Sequence, residues 1–292
     1  MKIIIDFDGT LTAEETQAAQ QAERSLRTLA QDIIGAPCEQ LALDYLVTQA
    51  RILRAPHCYG WEVNGLTASY CDEGAFILNT VTLQVMIRQN AAYLQAVTAA
   101  FPKSEYDPVV DCTNSLFHRH TAEIAPAFRP AAQQVLASLL EQPKRTPIVL
   151  TNSLGDKVRR HLATIALEDE ITVLGDTRQY EMDPDWQVHF SHPDLGDIQV
   201  WPVTDKHRID LRRPAYYRAL VEAGQDDALA VVADTFSMPG ALPLMMGIPF
   251  FLVRTSYTPA WCAEAVDAHP LGHVLDDLAD LPEALDTLQY PP

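Results

Sequence analysis

Residues 1–12 read MKIIIDFDGTLT: Ile3, Ile4 and Ile5 form an unbroken apolar run that stops at Asp6, and a second carboxylate, Asp8, stands just before Gly9. A short β-branched run without polar alternation is the pattern of a strand buried on both faces, as strands of a parallel sheet are. Four more runs of this kind follow, at 147–151, 171–175, 228–234 and 248–254, each bounded by turn residues. Helical stretches lie between them, at 129–141, 156–167 and 215–223. Strand alternating with helix predicts the α/β class, with a doubly wound, Rossmann-like parallel sheet.

The gap between the first two runs is far longer than one crossover helix requires. From residue 13 onward the sequence turns helical and amphipathic, most clearly at 14–34, 39–53 and 73–100, and 121–130 leads back to the sheet. The expected organisation is therefore an α/β core of 1–12 and 124–292, with an α-helical cap domain, 13–123, inserted in the first strand–helix connection. A stretch at 176–205 rich in Pro, Asp, His and Trp reads as a long loop or hairpin. Pro291 and Pro292 read as a frayed end.

With 48% hydrophobic and 21% charged residues over 292 positions, the chain has the composition of a folded globular protein. Its net charge of −18 repels phosphate backbones and anionic lipid, so neither nucleic acid nor membrane is an expected partner. A small phosphorylated ligand needs a local cation or a set of backbone N–H donors to overcome that field. The run at 3–5 is too short for the core of a signal peptide, which points to the cytoplasm. The most apolar window, 228–253, is broken by Asp234, Pro239, Pro243 and Pro249, against a membrane span. Five widely spaced cysteines without a C-x-x-C suit reduced thiols.

In an open parallel sheet, ligands bind outside the carboxyl ends of the strands. At those ends stand Asp6 and Asp8, then Thr151-Asn152-Ser153, then Asp234-Thr235, while Arg212-Arg213-Pro214 opens the helix before the fourth run. Paired carboxylates there suit a hard-cation site or a nucleophile beside a general acid, and acids ending apolar strands are costly unless something pairs them.

The ordered set resembles the haloacid dehalogenase-like hydrolases. DFDGTLT from Asp6 looks like the first motif of that superfamily, Thr151-Asn152-Ser153 with Lys157-Val158 like the second, Arg213-Pro214 stands in place of the third-motif lysine, and Ala233-Asp234-Thr235 with Gly247-Ile248-Pro249 looks like the fourth. The resemblance covers the core, and the insert falls where members with the first type of cap carry theirs. It implies Asp6 as a nucleophile forming an aspartyl-phosphate and Asp8 as the acid/base. It implies Thr151, with its neighbour Asn152, and Arg213 on the phosphoryl group. Asp6, Asp8 through its backbone carbonyl, and Asp234 would hold Mg²⁺. The expected activity is a Mg²⁺-dependent phosphoric monoester hydrolase acting on a small phosphorylated metabolite. The alternatives are a phosphotransferase or phosphomutase of the same superfamily, or a non-catalytic binding or regulatory protein.

The pattern departs from the family twice. Arg213 replaces a lysine, and a guanidinium clamps phosphate differently from a point-like ammonium, so Lys157 and Lys206 are alternative cations. An acid that often follows the fourth motif is absent, since Met238 and Pro239 stand there, leaving Thr235 or Ser237 to support the metal. Asp8 disfavours carbon–halogen cleavage, because dehalogenase-like members lack it. Lys103 is the one lysine of the insert, which disfavours a Schiff-base phosphonate route. His57, Tyr59 and Trp61 read as a packed aromatic loop, and the pairs His118/His120 and His189/His192 lack the further ligands of a zinc site.

Overall fold

A computed structural model describes residues 1–225 and 227–288, so Pro291 and Pro292 lie outside the described residues. The chain divides into two units: Met1–Ala13 together with the chain from Pro126 onward, and Glu14–Ala125.

The first unit is built on a six-stranded parallel sheet of β1 (Lys2–Ile5), β2 (Thr146–Leu150), β3 (Thr172–Leu174), β4 (Leu229–Ala233), β5 (Phe250–Val253) and β6 (Gly272–Leu275), in the spatial order β6-β5-β4-β1-β2-β3. β1 lies between β4 and β2, with Ile3 facing Ala230 on one side and Pro147 on the other. Its side chains alternate between two cores. Ile4 packs with Ile148, Val231, Ala233, Phe250 and Leu252, beneath the helices Pro214–Ala223 and Ala260–Asp267. Ile3 and Ile5 pack with Val149, Val232, Phe251 and Val253, beneath Ala132–Leu140 and Gly155–Ala163. A strand with a dry core on each face has no position left for a polar residue, which is why these strands read as unbroken apolar runs. The sheet is thus Rossmann-like, with helices on both faces.

Reading outward from β1 passes over β6, a sixth strand whose four residues, Gly-His-Val-Leu, carry too little apolar signal. The stretch expected as a loop or hairpin, 176–205, contains one hairpin, Phe190–His192 with Gly196–Ile198, and the first strand of a second, Val200–Pro202 with Arg208–Asp210. The chain leaves and re-enters this unit along paired segments: Thr12 bridges Phe128, Ala13 N–H donates to the Ala127 carbonyl, and Arg129 N–H to the Leu11 carbonyl.

The inserted unit is mainly helical, with helices Ala18–Thr28, Cys38–Ile52, Ala75–Gln89, Ala91–Ala100 and Pro108–Glu123. Leu29, Leu41, Tyr45, Leu83, Ile87, Val97, Val109 and Leu116 form its core. Three details refine the sequence reading. The stretch 73–100 is two helices, because the Asn90 side chain accepts from Ala92 N–H and Tyr93 N–H and starts a new one. His118 and His120 lie on a helix that Asp107 caps and Pro108 opens. Trp61 lies in a hairpin, Gly60–Val63 with Leu66–Tyr70, turned by Asn64 and Gly65. No described helix is long and apolar enough to cross a membrane, and all five cysteines are free.

Candidate active site

The strand order reverses at β1, which has β2 on one side and β4 on the other, and this is where an open α/β sheet forms its ligand crevice. Asp6 leaves β1 with its N–H on the Val232 carbonyl, so the first acid is held by the sheet itself. The chain then turns sharply: Leu11 and Thr12 N–H both donate to the Phe7 carbonyl, and Gly9 takes a left-handed φ of 81°. Glycine is required here twice over, because a Cβ at this position would lie 2.0 Å from Asp234 Oδ2. The turn therefore brings the end of β4 against the loop after β1.

Asp234 is buried and held by Thr10, whose hydroxyl donates to Asp234 Oδ1 at 3.2 Å and accepts from Asp234 N–H at 3.0 Å. Burial and then the Asp6 carboxylate push Asp234 well above the usual carboxylate range, and Arg129 partly opposes them. Arg129, which the sequence reading used only as a helix start, also donates Nε and Nη2 to the Gly9 carbonyl at 2.8 and 2.5 Å. It fastens the loop that carries Asp6 and Asp8.

Asp8 points elsewhere. Its carboxylate accepts from the Ser153 hydroxyl, and Lys157 Nζ lies 2.9 and 3.2 Å from its two oxygens. Lys157 Nζ also donates to Ser153 Oγ at 2.8 Å and is almost fully buried. Lys157 occupies the first turn of Gly155–Ala163, four residues after Ser153, so one helix start delivers both groups to Asp8. Lys157, one of the three cations considered from sequence, is therefore paired with the motif carboxylate Asp8. Lys206 is exposed in the turn between Val200–Pro202 and Arg208–Asp210.

Arg213 stands at the start of Pro214–Ala223, as the Arg-Pro pair suggested, but its side chain is buried, with Nη1 on the Gln179 carbonyl at 3.0 Å and Nε on the Asp210 carbonyl at 3.3 Å. Burial pushes the Tyr216 hydroxyl well above its ordinary value, the Asp6 carboxylate adds to this, and the Arg213 guanidinium works against it. Thr151 follows β2 and is buried, its Oγ1 accepting from Ser153 N–H at 3.2 Å. Asn152 is engaged with loops: its Oδ1 accepts from Gln179 N–H at 2.7 Å and its Nδ2 faces Met238 Sδ at 3.8 Å.

Solved structures share this fold. YfnB of Bacillus subtilis, assigned as a HAD-hydrolase and crystallised bound to magnesium, matches with a TM-score of 0.50 at 13% identity, covering 98% of each chain. The chain has the haloacid dehalogenase-like fold. Two further similar structures are a predicted phosphoglycolate phosphatase from Haemophilus somnus (TM-score 0.47, 16% identity, 97% and 96% covered) and a 2-haloacid dehalogenase from Pseudomonas syringae (0.47, 18%, 98% and 97%). No protein-family model and no curated protein matches the sequence.

Within this fold the donor set can be tested against a divalent cation. Among the described residues no group of three His, Cys, Asp or Glu side chains could hold a metal. Two carboxylates, Asp6 and Asp234, repel one another at the crevice. With Asp8 turned to Lys157, its contribution would come from its backbone carbonyl. Two hard anionic oxygens and a carbonyl fit Mg²⁺, which keeps several waters, better than a softer metal. The Thr235 hydroxyl, one of the two candidates for extra support, donates instead to the Met238 carbonyl.

Proposed function

We propose that the chain is a Mg²⁺-dependent phosphatase that hydrolyses a small phosphorylated metabolite through an aspartyl-phosphate on Asp6. The observation carrying this reading is the placement of Asp8: its carboxylate is fastened by Ser153 and Lys157 two residues beyond Asp6, on the loop that Arg129 and Gly9 fix. A second carboxyl group, held on the same loop as the nucleophilic carboxylate, is what two-step phosphoryl transfer uses to pass a proton.

In the first step an Asp6 carboxylate oxygen attacks phosphorus and the bond to the leaving oxygen breaks, while Asp8, which enters this step carrying a proton that the second step restores, gives that proton to the leaving oxygen. In the second, Asp8 takes a proton from water, the water oxygen attacks phosphorus, and the bond to Asp6 breaks. Asp6, the Asp8 carbonyl and Asp234 would hold Mg²⁺, which when bound neutralises charge between nucleophile and phosphate. Thr151 and the backbone N–H groups at the β2 end line the same edge, and Lys157 supplies local positive charge against the overall field. Carbon–halogen cleavage calls for no proton donor to a leaving oxygen, so the fastened Asp8 favours phosphate chemistry.

Asp6→Asn tests the reading with a panel of generic phosphomonoesters and Mg²⁺. The expected loss is about a thousandfold, or roughly 4 kcal/mol of transition-state stabilisation. Turnover within tenfold of the parent enzyme would contradict it.

A further inference from the structure

Helix Cys38–Ile52 of the inserted unit is apolar on two sides. Leu41, Tyr45, Thr48 and Ile52 are buried in that unit. On the other side Leu43, Leu46 and Val47 are 57%, 60% and 63% exposed, Ala50 is exposed, and Leu53, which ends the helix, is 53% exposed. A surface helix ordinarily carries one apolar stripe and a polar opposite face. The second stripe recurs at spacings of three and four residues, which is the seam of a paired helix. Its ends carry opposite charge: Glu39 is exposed in the first turn, and Arg51 and Arg54 are exposed at the far end.

We propose that this face pairs with the same face of a second copy of the chain, antiparallel, across a two-fold axis between Leu46 and Val47. That register sets Leu46 against Val47, Leu43 against Ala50, Gln40 against Leu53 and Glu39 against Arg54, each contact occurring twice because a two-fold interface is self-complementary. A parallel register would oppose Glu39 to Glu39 and Arg54 to Arg54, so the charge pattern selects the antiparallel one, which also opposes the helix dipoles favourably. The stripe supplies its own complement in both apolar spacing and end charge, and that argues for a second copy over an unrelated partner. A helix pair of this length buries roughly 1,000 Å² in total, at the low end for specific interfaces, and corresponds to association in about the micromolar range.

Sedimentation velocity over a concentration series up to about 100 μM tests the pairing. The expected result is a concentration-dependent dimer for the full chain and a monomer throughout for Leu46→Glu, whose circular dichroism, and whose melting at concentrations where both are monomers, match the parent because the site is on the surface. Glu39→Arg and Arg54→Glu should each weaken the dimer about threefold to tenfold, and the double variant should return to within about twofold of the parent. Three results would overturn the proposal: a parent protein monomeric across the series, a dimer that Leu46→Glu leaves intact, or a double variant as weak as the singles.

Discussion

Replacing Lys157 by Met removes the ammonium from a pair that is 3% exposed on the lysine side and 15% on the aspartate side. At 2.9 Å the gross attraction is about 6 kcal/mol with an effective dielectric constant of about 20. Desolvation offsets much of it, yet breaking one partner of a buried pair costs about 3 to 5 kcal/mol because the other charge is stranded. Water reaches Asp8, so the lower end, about 3 kcal/mol, is expected. Turnover should fall about a hundredfold or more, since Asp8 loses the group that fixes its position. Urea denaturation and Mg²⁺-dependent hydrolysis of a generic phosphomonoester measure the two effects. Lys206→Met, at an exposed turn, is the control and should change stability by no more than about 0.5 kcal/mol. The double variant Asp8→Asn with Lys157→Met should recover part of the stability and none of the activity. The reasoning fails if Lys157→Met matches Lys206→Met in both assays.

Gly9→Ala should cost at least about 2 to 3 kcal/mol and most of the activity, because a left-handed backbone and a Cβ driven into the Asp234 carboxylate act together. Denaturant midpoints of the variant and parent measure it, and parity between them contradicts the close approach of the two loops. Burial, and then the neighbouring Lys157, lower His161 from 6.5 to about 4, so the fold holds it neutral while the unfolded chain binds a proton sooner. Its contribution is complete above pH about 6.5 and is lost as the pH falls towards about 4. His161→Phe should flatten the acid limb of the stability–pH curve measured in urea, and an unchanged limb contradicts the burial argument.

β1, β2, β4 and β5 were legible to within a residue or two because they are buried on both faces, which leaves an apolar run in the sequence; β3, at the sheet edge, was placed by its short apolar run although its residues are exposed or half-buried. β6, half-buried and only four residues long, offered no such run. In the insert, Asn64-Gly65 is a strong two-residue hairpin signal, but the flanking Trp61 and Tyr59 read as a packed loop instead. The helix Pro108–Glu123 carried readable marks too, in Asp107 before Pro108, although the two histidines near its end have a strand-like spacing. At the site, motif order brought Asp6, Asp8, Thr151 and Asp234 to one sheet edge. The partners of Asp8 were not legible, because Ser153 and Lys157 reach it only through the direction in which the helix leaves β2. Arg129 escaped for the same reason: its hydrogen bonds to the Gly9 carbonyl join segments far apart in the chain.

The central claim is that phosphoryl transfer passes through Asp6 with Asp8 governing its release, and trapping the intermediate tests it most directly. A substrate with a good leaving group, such as a nitrophenyl phosphate, needs little protonation in the first step, so Asp8→Asn should still form the aspartyl-phosphate and fail to hydrolyse it. Mass spectrometry of the rapidly quenched variant should find one phosphoryl group on the peptide containing Asp6, absent when Asp6 is also changed to Asn. Turnover by the parent enzyme with no adduct on that peptide, or an adduct that persists without Asp6, would contradict the account.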